Sequence, residues 1–157
     1  MKNKKETSKS AFDTALSYLT FKDRSKQEVR KRLCDKGYEQ EEIDMAIERL
    51  VQYGYLDDNR YARNFIDYQS QNKGKRRIMM ELQQKGISKE LVTPIFESMN
   101  HDEVETIASI LQKRYRNLDE KDEQQLRSVY NYFARRGFSY DGIRKAIWIY
   151  RKNIENM

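Results

Sequence analysis

Four cations crowd around one glycine at Lys73-Gly74-Lys75-Arg76-Arg77. The chemistry open to such a block is non-covalent. Ammonium and guanidinium groups take phosphates or carboxylates, and the glycine lets a phosphate or a partner's backbone come close. It is not a P-loop, because the spacing Gly-x4-Gly-Lys-Ser/Thr is missing. Two further stretches are basic. Residues 22–36 hold seven Lys/Arg against three Asp/Glu, a net +4, and present Lys26, Arg30 and Lys31 as binding candidates. Residues 73–89 and residues 135–152 each hold six against one, a net +5, and the latter stretch adds Arg144 and Lys145. Acidic residues collect elsewhere: Glu39, Glu41, Glu42, Asp44 and Glu48 stand together with no Lys or Arg among them. A single charge run is ordinarily solvated surface. Three basic runs in repeat register point to a polyanion or an acidic filament as partner.

Other chemistry is poorly supplied. Cys34 is the only cysteine and His101 the only histidine. No intramolecular disulfide can form, and Cys-based zinc sites and His-dependent triads are disfavoured. No pair of carboxylates can be placed in one pocket from sequence. The expectation is a protein that is not an enzyme and uses no cofactor or metal. His101 reads as a surface residue in the first turn of a helix, and Cys34 as a small, half-buried one. Trp148, between Ile147 and Ile149, reads as core, with a partner-facing anchor as the alternative. Met79 and Met80 read as core filler. Tyrosines lie beside arginines at Tyr115 and Tyr150, and most are expected at the edge of the core.

The elements that must position these residues are helices. Apolar residues recur at helical spacing throughout, and no strand pattern competes. A first helix carries Ala11, Phe12, Ala15, Leu16 and Leu19. Ser25 to Glu28 is a capping box for a second helix, with Val29 and Leu33 inward. The third has Ile43, Ala46, Ile47, Leu50 and Val51, and ends at the corner Gly54-Tyr55-Leu56-Asp57-Asp58. There Gly54 stops one helix, Tyr55 folds back on Leu50, and Asp57 caps the next. Residues 73–77 form a linker into a fifth helix. Asn100 to Glu103 resembles a capping box for the seventh, and Pro94 is expected to kink the sixth or delay its regular part.

Gly37, Gly86 and Gly137 recur at an interval of about 50 residues. Four residues before each stands Leu33, Leu82 or Phe133, and six after stands Ile43, Val92 or Ile143. The fold class expected is all-α, with three tandem three-helix repeats forming an elongated, curved array. The boundaries are a flexible basic tail over 1–10, repeats over 11–53, 54–99 and 100–151, and a tail over 152–157. Hydrophobic residues are 38% and charged residues 36% of the 157, with a net charge of +6. That balance favours amphipathic helices over a thick core. The charged N-terminus lacks an apolar run and no stretch reaches transmembrane length, so a soluble, cytoplasmic monomer with no membrane partner is expected.

Gly54 to Asp58 followed by Tyr61-Ala62 and Phe65, then Lys73 to Ile78, Glu81-Leu82 and Lys85-Gly86-Ile87, closely resembles the RecX family of bacterial regulators of the RecA recombinase. The resemblance covers about residues 11–151 and is looser in the third repeat. Asn72 to Arg77 matches the family's basic block position by position, which makes Lys73, Lys75, Arg76 and Arg77 contact candidates. The resemblance implies a protein that lies in the groove of a RecA–DNA filament and bridges protomers, with single- or double-stranded DNA as a further partner. It implies negative modulation of filament assembly, ATP hydrolysis and strand exchange, within recombination, DNA repair and the SOS response. The alternative reading is a stand-alone DNA-binding helical protein acting without RecA. The Gly54 corner is expected to set the angle between units, and on the RecA reading charge reversal at Lys75, Arg76 and Arg77 is expected to weaken filament binding without unfolding.

Overall fold

Side-chain caps and left-handed glycines cut the chain into helices. The computed structural model describes residues 9–156, and those residues form nine α-helices and no strand. In order these are α1 (Ala11–Leu19), α2 (Lys26–Asp35), α3 (Gln40–Gln52), α4 (Asp58–Gln69), α5 (Lys75–Gln84), α6 (Lys89–Ser98), α7 (Glu103–Arg114), α8 (Glu123–Arg135) and α9 (Tyr140–Glu155). The architecture is an all-α tandem repeat. Ser25 and Glu28 cap α2 reciprocally, each side chain accepting the other's backbone N–H at 3.2 Å. Asp122 and Ser139 cap α8 and α9.

The α3–α4 corner closes as its residues dictate. Gly54 takes φ +76°, its N–H reaches Val51 O at 3.0 Å, and the Tyr55 N–H reaches Leu50 O at 2.9 Å. These are the two bonds of a Schellman end. Asp57 Oδ1 then accepts from the Asn59 and Arg60 N–H groups at 2.9 and 3.2 Å. Two side chains depart from expectation. The Tyr55 ring is 53% exposed and tilts against Tyr53, while Leu56 is the residue buried with Leu50. Val51 is exposed, so the buried stripe of α3 is Ile43, Ala46, Ile47 and Leu50.

Other expectations are corrected. Asn100 does not cap α7. It takes φ +46°, past the end of α6, and Asp102 is the cap, accepting the Val104 and Glu105 N–H groups. His101 therefore precedes the helix instead of lying in its first turn. Pro94 sits exposed inside α6, which runs on to Ser98. Met80 and Cys34 are exposed, and so is Trp148. Of the N-terminal tail, residues 1–8 lie outside the described residues, while Ser10 caps α1 and the Lys9 carbonyl accepts from Tyr38 OH at 2.9 Å. α9 continues through Lys152 to Glu155, where a tail was expected.

Compaction divides the chain differently from its repeats. One unit comprises residues up to Asn64 with Leu82–Val92, and the other comprises Phe65–Glu81 with the residues from Thr93 on. The first has its core in α1–α3, around Ala15, Val29, Leu33, Ile43 and Leu50. The second has its core in α7–α9, around Ile107, Leu111, Val129, Phe133 and Ile143. Instead of forming a third compact unit, the middle helices contribute segments to both.

Candidate functional site

The basic block falls at the start of α5. Lys73 and Gly74 precede the helix, while Lys75, Arg76 and Arg77 are its first turn, so the expected linker is partly helix. That turn contains no acidic residue. Three cations there oppose the helix macrodipole, each at a cost of about 0.3–1 kcal/mol when exposed.

Several contacts within the second unit offset this. Gly74 is buried, and its N–H donates to Arg136 O at 2.8 Å. A Cβ on Gly74 would stand 2.4 Å from the carbonyl carbon and oxygen of Gly137 and from the Phe138 nitrogen. The backbone that approaches this glycine is thus the chain's own α8–α9 turn, not a phosphate or a partner. The Lys75 N–H donates to Glu103 Oε1 at 2.7 Å, and Arg76 Nη2 donates to Ala134 O at 2.9 Å. Lys73 Nζ reaches both Glu81 oxygens at 2.8 and 3.0 Å, and Arg77 Nε reaches Glu81 Oε1 at 3.2 Å. Burial raises the Glu81 carboxyl's pKa, but bonds from Lys73 and Arg77 overcome it and hold the group below the usual range. The Lys75 ammonium lies 5.6 Å from the Phe96 ring centroid.

In the first unit α2 starts in the same way. Ser25 is fully buried and its hydroxyl donates to Lys85 O at 2.7 Å. The Lys26 N–H donates to Asp58 Oδ1 at 2.9 Å. Burial raises the Asp58 pKa, the Lys26 bond opposing it. Of the candidates here, Arg30 pairs with Asp44 at 2.5 Å and holds that carboxyl low, while Lys31 stands exposed with no ion pair among the described residues.

The third set lies on α9. Arg144 and Lys145 both pair with Asp141, at 2.7 and 2.9 Å, and their hydrogen bonds depress its pKa. The α2 set belongs to the first unit, and the Lys73–Arg77 and α9 sets belong to the second. Arg76 and Arg77 are tied into the fold, so reversing their charge perturbs the α5 start as well as any partner contact.

Arginine–tyrosine stacks form between residues that are not adjacent in the sequence. Arg24 and Arg32 lie 4.3 and 5.3 Å from the Tyr18 ring centroid. Arg114 and Arg136 flank Tyr132 at 4.2 and 4.4 Å. Tyr150 is buried and donates its hydroxyl to Tyr115 O. A polar cavity of about 920 Å³ in the second unit is lined by His101, Asp102, Lys113 and Arg114, among others. Among the described residues no group of three His, Cys, Asp or Glu is placed to hold a metal ion, and no helix is long and apolar enough to cross a membrane.

Three family models match in chain order: RecX, first three-helix domain, at residues 11–50; the second at 57–93; and the third at 101–147. A regulatory protein RecX of Vibrio vulnificus is 32% identical over 136 residues, covering 86% of this chain and 89% of that one. The chain belongs to the RecX family. A second regulatory protein RecX, from Trichlorobacter lovleyi, is 34% identical over 137 residues, covering 83% and 89%. The crystal structure of RecX from Lactobacillus salivarius superposes with a TM-score of 0.78 at 23% identity, over 90% of this chain and 94% of that one, a likeness of fold. The Lys73–Arg77 block lies inside the match to the second RecX domain, and Arg144 and Lys145 lie inside the match to the third.

Proposed function

We propose that this RecX-family chain is a negative regulator of the RecA recombinase. It binds in the groove of the RecA–DNA filament and restrains filament assembly, ATP hydrolysis and strand exchange. The observation that carries the reading is the family match through all three domains, with relatives named regulatory protein RecX. Physical chemistry supports it. The first turn of α5 gathers three cations and no acidic residue, which suits an anionic partner. Basic residues also recur on α2, α5 and α9, so weak contacts add through effective concentration on a repeating partner. In this reading the protein acts as a cytoplasmic monomer, and its three repeats span 11–53, 54–99 and 100–151.

The test is RecA-dependent ATP hydrolysis on single-stranded DNA with increasing amounts of the purified chain. A dose-dependent fall is expected. No effect over a wide concentration range overturns the proposal. Tight, steeply salt-dependent binding to duplex DNA with RecA untouched supports the stand-alone DNA-binding alternative. Lys75→Gln and Lys31→Gln are the cleanest site variants, since neither side chain forms an ion pair among the described residues, and each is expected to weaken inhibition.

A further inference from the structure

One face of α9 is left uncovered by the second unit. Asp141, Arg144, Lys145, Trp148, Arg151 and Lys152 follow the i, i+3, i+4, i+7 spacing that places residues on one side of a helix. The opposite side, with Ile143, Ala146, Ile147 and Tyr150, is buried. Trp148 stands in the middle of the free face, 54% exposed, with the Lys152 ammonium 4.1 Å from its ring centroid. At the edge of the face Tyr140, 67% exposed, stacks on Tyr130 with centroids 5.8 Å apart and planes 22° apart. Tyr130, Tyr140, Asp141 and Arg144 line an open cavity of about 490 Å³ beside it.

Cations therefore alternate with flat rings along the helix, at steps of about 6 Å for each four residues. This combination selects among polyanions. Single-stranded nucleic acid offers unstacked bases for the rings and phosphates for the cations. A duplex hides its base faces, and an acidic protein supplies charge without flat partners.

We propose that the outer face of α9 binds single-stranded nucleic acid directly. Trp148 and the Tyr130–Tyr140 pair stack on bases, and Arg144, Lys145, Arg151 and Lys152 take phosphates. This contact belongs to the chain itself and does not depend on RecA. Two carboxylates moderate it: Asp141 holds Arg144 and Lys145, and Glu120 pairs with Arg151. Phosphates must displace these partners, which keeps the affinity modest and the strand exchangeable.

Trp148 is the sole tryptophan, so its emission reports this face alone. Titrating the full chain with oligothymidylate is expected to quench that emission along the same curve as the anisotropy of the labelled strand. Trp148→Ala is expected to weaken binding about 5- to 150-fold, the range for loss of one stacked base, while Trp148→Phe retains most of it. Paired Arg144→Gln and Lys145→Gln substitutions are expected to reduce the logarithmic salt slope by about 1.4. Asp141→Asn is expected to tighten binding. Circular dichroism checks that each variant is folded; should Trp148→Ala unfold, an abasic strand titrated against the unaltered chain reads the same stacking, and is expected to bind weakly. Equal affinity for an abasic strand overturns the proposal. So does tighter binding of a duplex, saturating anisotropy without a change in emission, or equal quenching by polyglutamate.

Discussion

Replacing Gly74 by alanine tests whether the glycine of the basic block serves a partner or the fold. Glycine to alanine ordinarily stabilises a permitted position by about 0.4–1 kcal/mol, by restricting the unfolded chain. Here the new methyl would stand 2.4 Å from three backbone atoms of Gly137 and Phe138. No rotamer change relieves a clash with backbone, so the start of α5 must lift from the α8–α9 turn. Such overpacking costs about 1–3 kcal/mol. Lifting also strains the Gly74 N–H bond to Arg136 O and the Arg76 bond to Ala134 O, each worth about 0.5–1.5 kcal/mol. The clash outweighs the entropic gain, and a net loss of roughly 2–4 kcal/mol follows. For a chain of this size that is a fall in Tm of roughly 4–16 °C. Thermal melts followed by far-UV circular dichroism read it directly. Gly37→Ala is the control. That glycine has φ +90° but nothing within 4 Å among the described residues, so it isolates backbone strain from collision. If Gly74→Ala melts at or above the unaltered chain, the packing argument is wrong. A stable Gly74→Ala that has lost its effect on RecA would restore the reading of Gly74 as a point of partner approach.

Three further outcomes follow from the same joints. Ser25→Ala removes both a helix cap and the buried bond to Lys85 O, and is expected to cost about 1–2 kcal/mol in urea denaturation. The Glu81 carboxyl is held low in the fold, so its contribution is present above its unfolded pKa of about 4.3 and is lost as pH falls through the depressed folded value. The stability difference between the unaltered chain and Glu81→Gln should therefore shrink to the non-titrating remainder in acid, which a pH series of melts measures. Asp58 runs the other way: burial raises it, so its contribution is fully present below about pH 3.9 and is lost as pH rises through the raised folded value. Asp58→Asn keeps an acceptor for the Lys26 N–H, and its melting temperature relative to the unaltered chain should rise from acid to neutral pH.

The helices were legible because their signals are local. Ser25 with Glu28, Asp57 after Gly54, and Ser139 each act within four residues, and all three work as their types predict. The recurring core positions Leu33, Leu82 and Phe133 are fully buried. Illegible features depend on distant chain or on ambiguous types. Asn100 fits a capping box with Glu103, but asparagine also tolerates the left-handed conformation, and that use prevails. Glu103 is engaged elsewhere, on the Lys75 N–H. The sequence neighbours of Trp148, Ile147 and Ile149, suggest a core position. Adjacent residues on a helix do not share a face, and its true neighbours are Arg144 and Lys152, four residues away.

The sequence alone points to the Gly54 corner as the joint between the first two repeats. The structure adds a second joint, built twice to one plan. In the first unit the α2 cap Ser25 donates to the carbonyl just before Gly86, and the Lys26 N–H meets the acidic first residue of α4. In the second unit Gly74 donates to the carbonyl just before Gly137, and the Lys75 N–H meets the acidic first residue of α7. Each stop glycine thus receives the second helix of the preceding repeat: a Cβ on Gly86 would strike Gln27, and one on Gly137 would strike Arg77. A Cβ on Gly37 would meet nothing within 4 Å among the described residues. The basic residues therefore sit on the joints themselves. An anion drawn to Arg76 or Arg77 competes with Ala134 O and Glu81 for the same donors. On the proposed function, engaging the partner and loosening the joint become one event, so binding-site variants at Arg76 and Arg77 should change stability as well as affinity. Variants at Lys31, which is exposed and forms no ion pair among the described residues, should change affinity alone.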